Sequence, residues 1–331
     1  MNKNIKIFKL ALFLGCNVIS VSYAAPLKLC VFDVMGANGI TMLLARDFAL
    51  FAQQQGVEVD LKSYQKLDPA INDFDQKKCD GIVADNFATR KYNKFMGTLG
   101  AVGAINDNQI AERVITALSS PKIAYKMKST NHEVVGYMPY GLAYFMTRDR
   151  EIKTLQQVVG QRIGVLAEDP SQRRMAQKVG MKPVIMTFDN ATTKFKNNDF
   201  DVVPAPLIVY EPFEIGKLIG EQGGIMNYPL AFMTMNFVFH NGLYHQDFGA
   251  KSREWFSKQS KQMMTGLKRW ESKIPENMWV NIPAIDRTSY DRLVSQMRRE
   301  FINNGVYDNN MITLIRHLRC RYEQEFVECK K

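Results

Sequence analysis

Residues 70–85 read AINDFDQKKCDGIVAD and residues 191–206 read ATTKFKNNDFDVVPAP, so the chain carries a weak internal repeat at a constant offset of 121 residues. The positions that match in this alignment include Ala70 and Ala191, Phe74 and Phe195, and Asp80 and Asp201. Each copy has the pattern of a polar helix, an acidic turn, a short apolar strand and an exit of small residues. A repeat at half the chain length predicts two similar α/β lobes, because solenoid repeats have shorter periods. A cleft between two such lobes is a common place for a small ligand.

The segments around both copies alternate between strand and helix patterns. Strands are predicted over 27–33, 57–61 and 81–85, with helices between them, and again over 162–166, 183–187 and 201–205. Asp169-Pro170 is typical of a helix start, with Asp as the cap and Pro at the first helical position. This β-α-β-α-β order predicts parallel sheets covered by helices on both faces. At 331 residues the chain is long enough for two such units.

Two further segments are expected to connect the lobes. Residues 133–146 are apolar but contain Gly136, Pro139 and Gly141, so we interpret them as a crossing connection too broken for one strand. Residues 233–240 alternate and are expected to cross back, and three helices follow to the end of the chain. We predict an α/β, two-lobed fold of the type II binding-protein kind, with a helical C-terminal tail. The predicted domains are a signal peptide (1–24), a first lobe (25–143 plus 236–331) and an inserted second lobe (144–235). Hinge bending is expected within 137–147 and 233–240.

The first 24 residues predict export. Three lysines precede an uncharged apolar run over 10–21, and Ser22-Tyr23-Ala24 supplies small residues for cleavage after Ala24. Leu14-Gly15-Cys16 raises the alternative of a lipoprotein, although Phe13 stands where such a signal carries Leu. Later apolar stretches contain too many Gly, Pro and Asn residues to span a membrane. We therefore expect a mature periplasmic protein.

Net charge indicates which class of partner the protein has, and cysteine content indicates whether it forms disulfides. Removing the signal removes three lysines and no acid, which lowers the formal net charge from +10 to +7. Basic residues are dispersed rather than interleaved with aromatics, so we expect no nucleic-acid partner. Four cysteines remain, and an even number in an oxidising compartment predicts disulfides. Cys30–Cys79 is plausible because both lie by neighbouring strands, and Cys320–Cys329 would then clip the tail; other pairings and free thiols stay open.

The candidate ligand site lies at the carboxyl ends of the strands, where open α/β sheets bind ligands. Several of these ends carry carboxylates, which would favour a cationic or amino-bearing ligand in a partly desolvated cleft. The alternative is that Asp169 and Asn86 cap helices and the other acids favour helix N-termini. Aromatic residues beside the connection would hold a sugar or an ammonium group, or simply belong to the core. The predicted site residues are Asp33, Met35, Asn38, Asp85, Asn86, Tyr137, Tyr140, Glu168, Asp169, Pro206, Tyr210 and Glu211.

Signatures of catalysis are missing from the sequence. The four histidines have no metal-ligand spacing, and no nucleophile elbow, Walker loop or dinucleotide-binding motif occurs. We therefore expect a binding protein rather than an enzyme, acting as a monomer without a cofactor or a metal.

Residues 155–165 (LQQVVGQRIGV), 180–184 (GMKPV) and 200–203 (FDVV) resemble the second lobe of TRAP-type periplasmic solute-binding proteins. That family places an arginine that clamps a substrate carboxylate within this first strand. The matching position here is Gly164, with Arg162 two residues earlier, which puts carboxylate binding in doubt.

Over nearly its full length the chain is similar to a closer group of solute-binding proteins, through FDVMGANG, CDGIVAD, EVVGYMPYGLAYFMTRDREIKTL, KFKNNDFDVVPAPLIVYEPFEIGK and LRCRYEQEFVEC. Some members carry the name AdeT, a component of an RND-type efflux system linked to aminoglycoside resistance. The resemblance implies binding of a small solute that is delivered to a membrane transporter. The alternative is an accessory or sequestering factor in aminoglycoside efflux.

Overall fold

The computed structural model describes residues 25–329; the predicted signal peptide and Cys16 lie outside this range. One mixed sheet of nine strands runs through the molecule, in the order β2-β1-β3-β8-β4-β7-β5-β6, and β9 pairs with β8. The strands are β1 (Leu27–Phe32), β2 (Val59–Tyr64), β3 (Gly81–Asp85), β4 (His132–Thr147), β5 (Arg162–Leu166), β6 (Lys182–Met186), β7 (Val202–Pro206), β8 (Gly224–His240) and β9 (Trp279–Val280).

Two parallel groups of strands lie on opposite sides of a long antiparallel pair. The first lobe contains β1, β2 and β3, which are mutually parallel, and the second contains β5, β6 and β7. The long strands β4 and β8 pair with each other and carry the sheet from one lobe to the other. The two-lobed α/β prediction is confirmed, and the exact lobe boundaries and the hinge stay predictions.

The expectation that residues 133–146 are too broken for one strand is wrong. They form most of β4. The register of the pairing between β4 and β8 shifts at Val134/Gly136 and at Pro139/Gly141, and these shifts accommodate the irregular residues. Gly141 has a φ of 99°, a conformation that costs little only for glycine. Bulges of this kind interrupt the ladder locally and bend and twist the strand, and pairing resumes on either side of them.

The internal repeat corresponds to one backbone arrangement made twice. The Asp80 carboxylate accepts a hydrogen bond from Lys28 N at 2.7 Å, and the Asp201 carboxylate accepts one from Arg162 N at 3.0 Å. The Asp80 N–H bonds Lys28 O, and the Asp201 N–H bonds Arg162 O. Each aspartate therefore ties the start of the third strand to the start of the first strand in its lobe.

Eleven α-helices occur within residues 25–329 and pack on both faces of the sheet. They are α1 (Ile40–Gln54), α2 (Leu67–Asp75), α3 (Lys94–Gly97), α4 (Asn108–Leu118), α5 (Leu155–Val158), α6 (Pro170–Lys178), α7 (Ala191–Lys196), α8 (Ile215–Ile219), α9 (Phe248–Glu271), α10 (Ala284–Asn303) and α11 (Asn309–Cys320). The three long C-terminal helices match the predicted tail. None of the helices in the described range has the length and apolar character needed to cross a bilayer.

Both predicted disulfides are present. Cys30 and Cys79 have their Cα atoms 5.8 Å apart, and Cys320 and Cys329 have theirs 5.3 Å apart. The first links β1 to the residue before Asp80, beside the backbone arrangement described above. The second holds the last described residues against α11.

Candidate functional site

A cleft lies between the lobes against β4 and β8. Its lining is mostly apolar. The rings of Phe32 and Phe188, from opposite lobes, approach to 5.8 Å between centroids inside it. Such a lining stabilises the apolar part of a ligand by removing it from water.

The charged groups of this lining are all acidic. Asp33, Asp85 and Asp169 line the cleft, and none of its described lining residues is Lys, Arg or His. The protein as a whole has an excess of basic residues, so the cleft differs in sign from the rest of the molecule. A charge in a partly desolvated cleft interacts more strongly than one in bulk water.

Both carboxylate oxygens of Asp33 accept hydrogen bonds from nearby backbone N–H groups. One carboxylate oxygen accepts Met35 N at 2.9 Å, and the other accepts Thr41 N at 2.8 Å and Met42 N at 3.3 Å, at the start of α1. The Thr41 hydroxyl bonds the Tyr140 hydroxyl at 2.5 Å, which fixes that ring at the cleft wall. This agrees with the alternative that some of the acids serve helix starts.

Asp85 is the last residue of β3, and within residues 25–329 only one of its two carboxylate oxygens accepts a hydrogen bond. Its Oδ1 accepts Phe87 N at 2.9 Å and Ala88 N at 3.1 Å, whereas Oδ2 is buried with no hydrogen-bond partner in the described structure. The residue is only 1% exposed. The pKa of Asp85 is raised to about 6: burial is the largest cause, the N–H groups of Ala88 and Phe87 oppose it, and the charge of Asp169 adds to it.

Glu168, after β5 in the other lobe, is the electrostatic partner of Asp85. Its Oε1 is also buried without a hydrogen-bond partner in the described range. Burial raises the pKa of Glu168 to about 8, and the charge of Asp85 is the next largest cause, followed by Asp169 and Asp68. Two carboxyls that interact in this way titrate as a pair and share a proton near neutral pH.

Asp169 joins the lobes through an ion pair. Its Oδ1 accepts Ser171 N at 3.1 Å, as predicted for a helix cap, and also accepts Arg90 Nη1 at 3.0 Å. Arg90 follows β3, so this bond crosses from the first lobe to the second. The side chains are 11% and 1% exposed, so the Coulombic attraction between these groups is larger than in a surface ion pair, and loss of either partner would leave a buried charge uncompensated.

The C-terminal tail completes the cleft. Phe301 and Tyr307 line it from the end of α10 and the loop that follows. The buried Arg298 donates to the carbonyl of Val102, another lining residue, and pairs with Glu328. Arg319 donates to Gly103 O at 2.9 Å. The tail therefore fixes the loop around residue 102 as well as supplying its own side chains.

The predicted site residues separate into two groups. Asp33, Asp85, Tyr140, Asp169 and Pro206 line the cleft, whereas Glu168 does not line it but interacts electrostatically with Asp85.

The other predicted residues do not line the cleft, and their contacts give the reason in most cases. Met35 and Asn38 lie exposed on the turn before α1. The Asn86 amide donates to Phe232 O and accepts Thr234 N, which fastens β3 to β8. Tyr137 is buried and donates to Ile115 O at 3.2 Å. Tyr210 is half-buried, and Glu211 is exposed near Lys273 at 3.8 Å.

Sequence reasoning missed Arg90 and the tail residues. Arg90 lies five residues beyond the strand end that supplied Asp85, on the same connection, so a wider search around each strand end would have included it. Phe301 and Tyr307 carry no local signal, because their place in the cleft depends on how the helical tail packs.

The position that carries the arginine in TRAP-type proteins has no room for a larger side chain in this protein. A Cβ at Gly164 would lie 2.7 Å from Sδ of Met186 and 3.1 Å from the Phe200 ring. Arg162 pairs with the Asp201 carboxylate, with Nε to Oδ2 at 3.0 Å and Nη2 to Oδ1 at 2.6 Å. Neither position offers a free guanidinium to a ligand.

We expect Gly164→Arg to lower the free energy of unfolding by about 1–3 kcal/mol through overpacking, with no gain of affinity for succinate. Chemical denaturation and succinate thermal-shift measurements check both parts. Gly266→Arg is the matched control, since a Cβ at this position on α9 would meet open space. This substitution should be neutral or stabilising, because it replaces a glycine within a helix. Succinate-dependent stabilisation of the Gly164 variant would contradict the expectation.

Comparison with known proteins gives the chain a family. The family model described as "Solute-binding protein AdeT 1/2" matches residues 31–331. The chain is 34% identical over 299 residues to "Probable solute-binding protein AdeT1" of Acinetobacter baumannii, covering 90% of this chain and 98% of that protein. It is 32% identical over 234 residues to AdeT2 of the same organism, covering 71% and 98%.

Solved structures share the fold at low identity. A TRAP periplasmic solute-binding protein from Ralstonia eutropha, with bound (S)-2-acetolactate, matches with a TM-score of 0.71 at 11% identity, over 90% of this chain and 100% of that one. One from Anaerococcus prevotii, with bound D-glucuronate, matches with a TM-score of 0.70 at 15% identity, over 89% and 99%. The chain therefore belongs to the AdeT 1/2 family of solute-binding proteins, built on the fold of TRAP-type periplasmic binding proteins.

Proposed function

We propose that this solute-binding protein holds a small, largely apolar molecule bearing a protonated amino group. The observation that carries the proposal is the composition of the cleft, where three aspartates and no basic side chain stand in a mostly apolar lining. An ammonium group on an apolar body matches both parts of that surface.

The free carboxyl oxygens support an ammonium rather than a neutral polar group. Asp85 Oδ2 and Glu168 Oε1 come from opposite lobes, and both are buried without partners in the described structure. A buried acceptor without a donor costs free energy, and an ammonium supplies three donors together with the opposite charge. Contact with both carboxyls would link ligand binding to closure of the lobes.

The protein is proposed to act in the periplasm and to deliver its solute to a membrane transporter. Family membership and the predicted signal peptide support this location. Monomeric action remains part of the proposal. Sequestration of an aminoglycoside is the lesser alternative, because an aminoglycoside is covered with hydroxyl groups and the lining offers them few partners.

A thermal-shift screen tests the proposal, with phenethylamine, 3-phenylpropionate, succinate and kanamycin as probes. An amine at 100 times its dissociation constant should stabilise by about 2.7 kcal/mol, or about 5 °C in melting temperature. Affinity for phenethylamine should rise between about pH 5 and pH 8.5, because Asp85 and Glu168 lose protons around pH 6 and pH 8 while the amine stays protonated.

Stabilisation by the two acids and not by the amine would overturn the proposal. Stabilisation by kanamycin alone would favour the sequestration alternative. An amine affinity that falls as the pH rises would show that the carboxyls do not bind the ammonium group.

A further inference from the structure

The Arg90 guanidinium has one nitrogen without a partner. Its Nε donates to Gly97 O at 3.2 Å, and its Nη1 donates to Asp169 Oδ1 at 3.0 Å. Its Nη2 is buried and makes no hydrogen bond in the described structure. A buried N–H group that lacks an acceptor is rare in folded proteins and marks a place where a partner is expected.

Cleft residues surround this guanidinium. It lies over the rings of Phe87 and Tyr307, with distances of 5.7 Å and 5.4 Å to their centroids. These two residues and Asp169 all line the cleft. Arg90 is not itself one of the described lining residues, so its unpaired Nη2 lies next to the lining, among three residues that a ligand would touch.

The unpaired polar atoms in and next to this part of the lining are of two kinds, and Asp85 belongs to the lining whereas Glu168 and Arg90 lie beside it. Asp85 Oδ2 and Glu168 Oε1 are acceptors, and Arg90 Nη2 is a donor with a positive charge. An amine satisfies the acceptors and leaves Nη2 bare, whereas a carboxylic acid does the reverse. A molecule that carries both groups satisfies all three atoms.

We propose that the solute is an amino acid with an apolar side chain, whose ammonium group binds Asp85 and Glu168 and whose carboxylate accepts from Arg90 Nη2. The inference rests on the proposed function and narrows it. A guanidinium has five donors in a fixed fork, so Arg90 can keep its bond to Asp169 while it binds a second carboxylate. The apolar lining around Phe32 and Phe188 then receives the side chain.

Isothermal titration with matched pairs tests the inference. The pairs are L-phenylalanine with phenethylamine, L-tryptophan with tryptamine, and L-leucine with isoamylamine, which differ only in the carboxylate. At least one amino acid should bind ten times or more tighter than its amine, as expected for hydrogen bonds to charged groups. Arg90→Lys keeps a positive charge beside Asp169 but lacks the third nitrogen, so it should reduce this ratio toward one. Arg162→Lys, the same change at an ion pair in which neither partner lines the cleft, should leave the ratio as in the wild type.

Two results would overturn the inference and leave the proposed function standing. One is an amine that binds at least as tightly as its amino acid in every pair. The other is a folded Arg90→Lys protein with an unchanged ratio. If no amine and no amino acid binds, the proposed function fails as well. If Arg90→Lys does not fold, the wild-type ratio decides alone.

Discussion

Asp85→Asn is expected to weaken binding of a cationic ligand by about 100-fold while making the unliganded protein more stable. Loss of one charge from a buried, hydrogen-bonded ion pair costs about 2–5 kcal/mol of binding free energy. The amide oxygen can still accept from Phe87 N and Ala88 N, as Oδ1 does now. The substitution therefore removes the charge and leaves the connection after β3 in place.

The gain in stability follows from the direction of the pKa change. The pKa of Asp85 is raised from 3.8 to about 6 by burial, so the folded state holds the proton more tightly than the unfolded state. Stability is then highest below about pH 4 and falls as the pH rises to about 6, by about 3 kcal/mol in total. The amide side chain of the variant cannot ionise, so Asp85→Asn should recover about 1–3 kcal/mol of unfolding free energy at about pH 7.

Urea denaturation at about pH 4 and pH 7, together with titration of phenethylamine, measures both effects. Asp199→Asn is the matched control, because its side chain is 40% exposed and does not line the cleft. Equal affinity in the wild type and Asp85→Asn would remove Asp85 from the site. A loss of stability in the variant at pH 7 would show that the ionised carboxyl is stabilising.

Replacement of Cys30 and Cys79 by Ala is expected to lower the free energy of unfolding by about 4 kcal/mol. The bond joins residues 49 positions apart, and closure of a loop of that length removes much of the conformational entropy of the unfolded chain. It also holds Asp80 beside the first strand, so its loss should loosen the start of β3 against β1.

The Cys320→Ala/Cys329→Ala protein is the internal comparison, since that bond spans only 9 positions. Loop entropy gives about 2.7 kcal/mol there. Denaturation of both double variants under identical conditions ranks the two bonds. A larger loss for the C-terminal pair would mean that its contacts, and not loop length, dominate.

Much of the fold could be predicted because it depends on local patterns. The strands over 81–85 and 162–166 agree with the structure to the residue, since each is a short apolar run bounded by turn residues. The β4 error had a physical cause: Gly136, Pro139 and Gly141 disfavour a regular strand, but pairing with β8, with bulges in that ladder, holds them in the sheet. Tertiary pairing overrode local preference there.

The candidate site was harder to predict from the sequence than the fold was. The rule of strand ends located Asp85 and Asp169, and it also selected Asn86, whose amide is used inside the sheet. A strand-end residue points toward the cleft or into the core according to its neighbours, and the sequence does not state which. The partners of Arg90 and the pKa of Glu168 depend on groups from two lobes, so no single segment contains that information.

The tail arrangement has a consequence for how the protein is made. Phe301, Tyr307, Arg298 and Arg319 belong to the last part of the chain, yet they form or brace the wall around Val102. Both strand-helix-strand units are synthesised well before these residues. A nascent chain can therefore pair its strands early, but it has no finished cleft until residues 298–319 have been synthesised and packed.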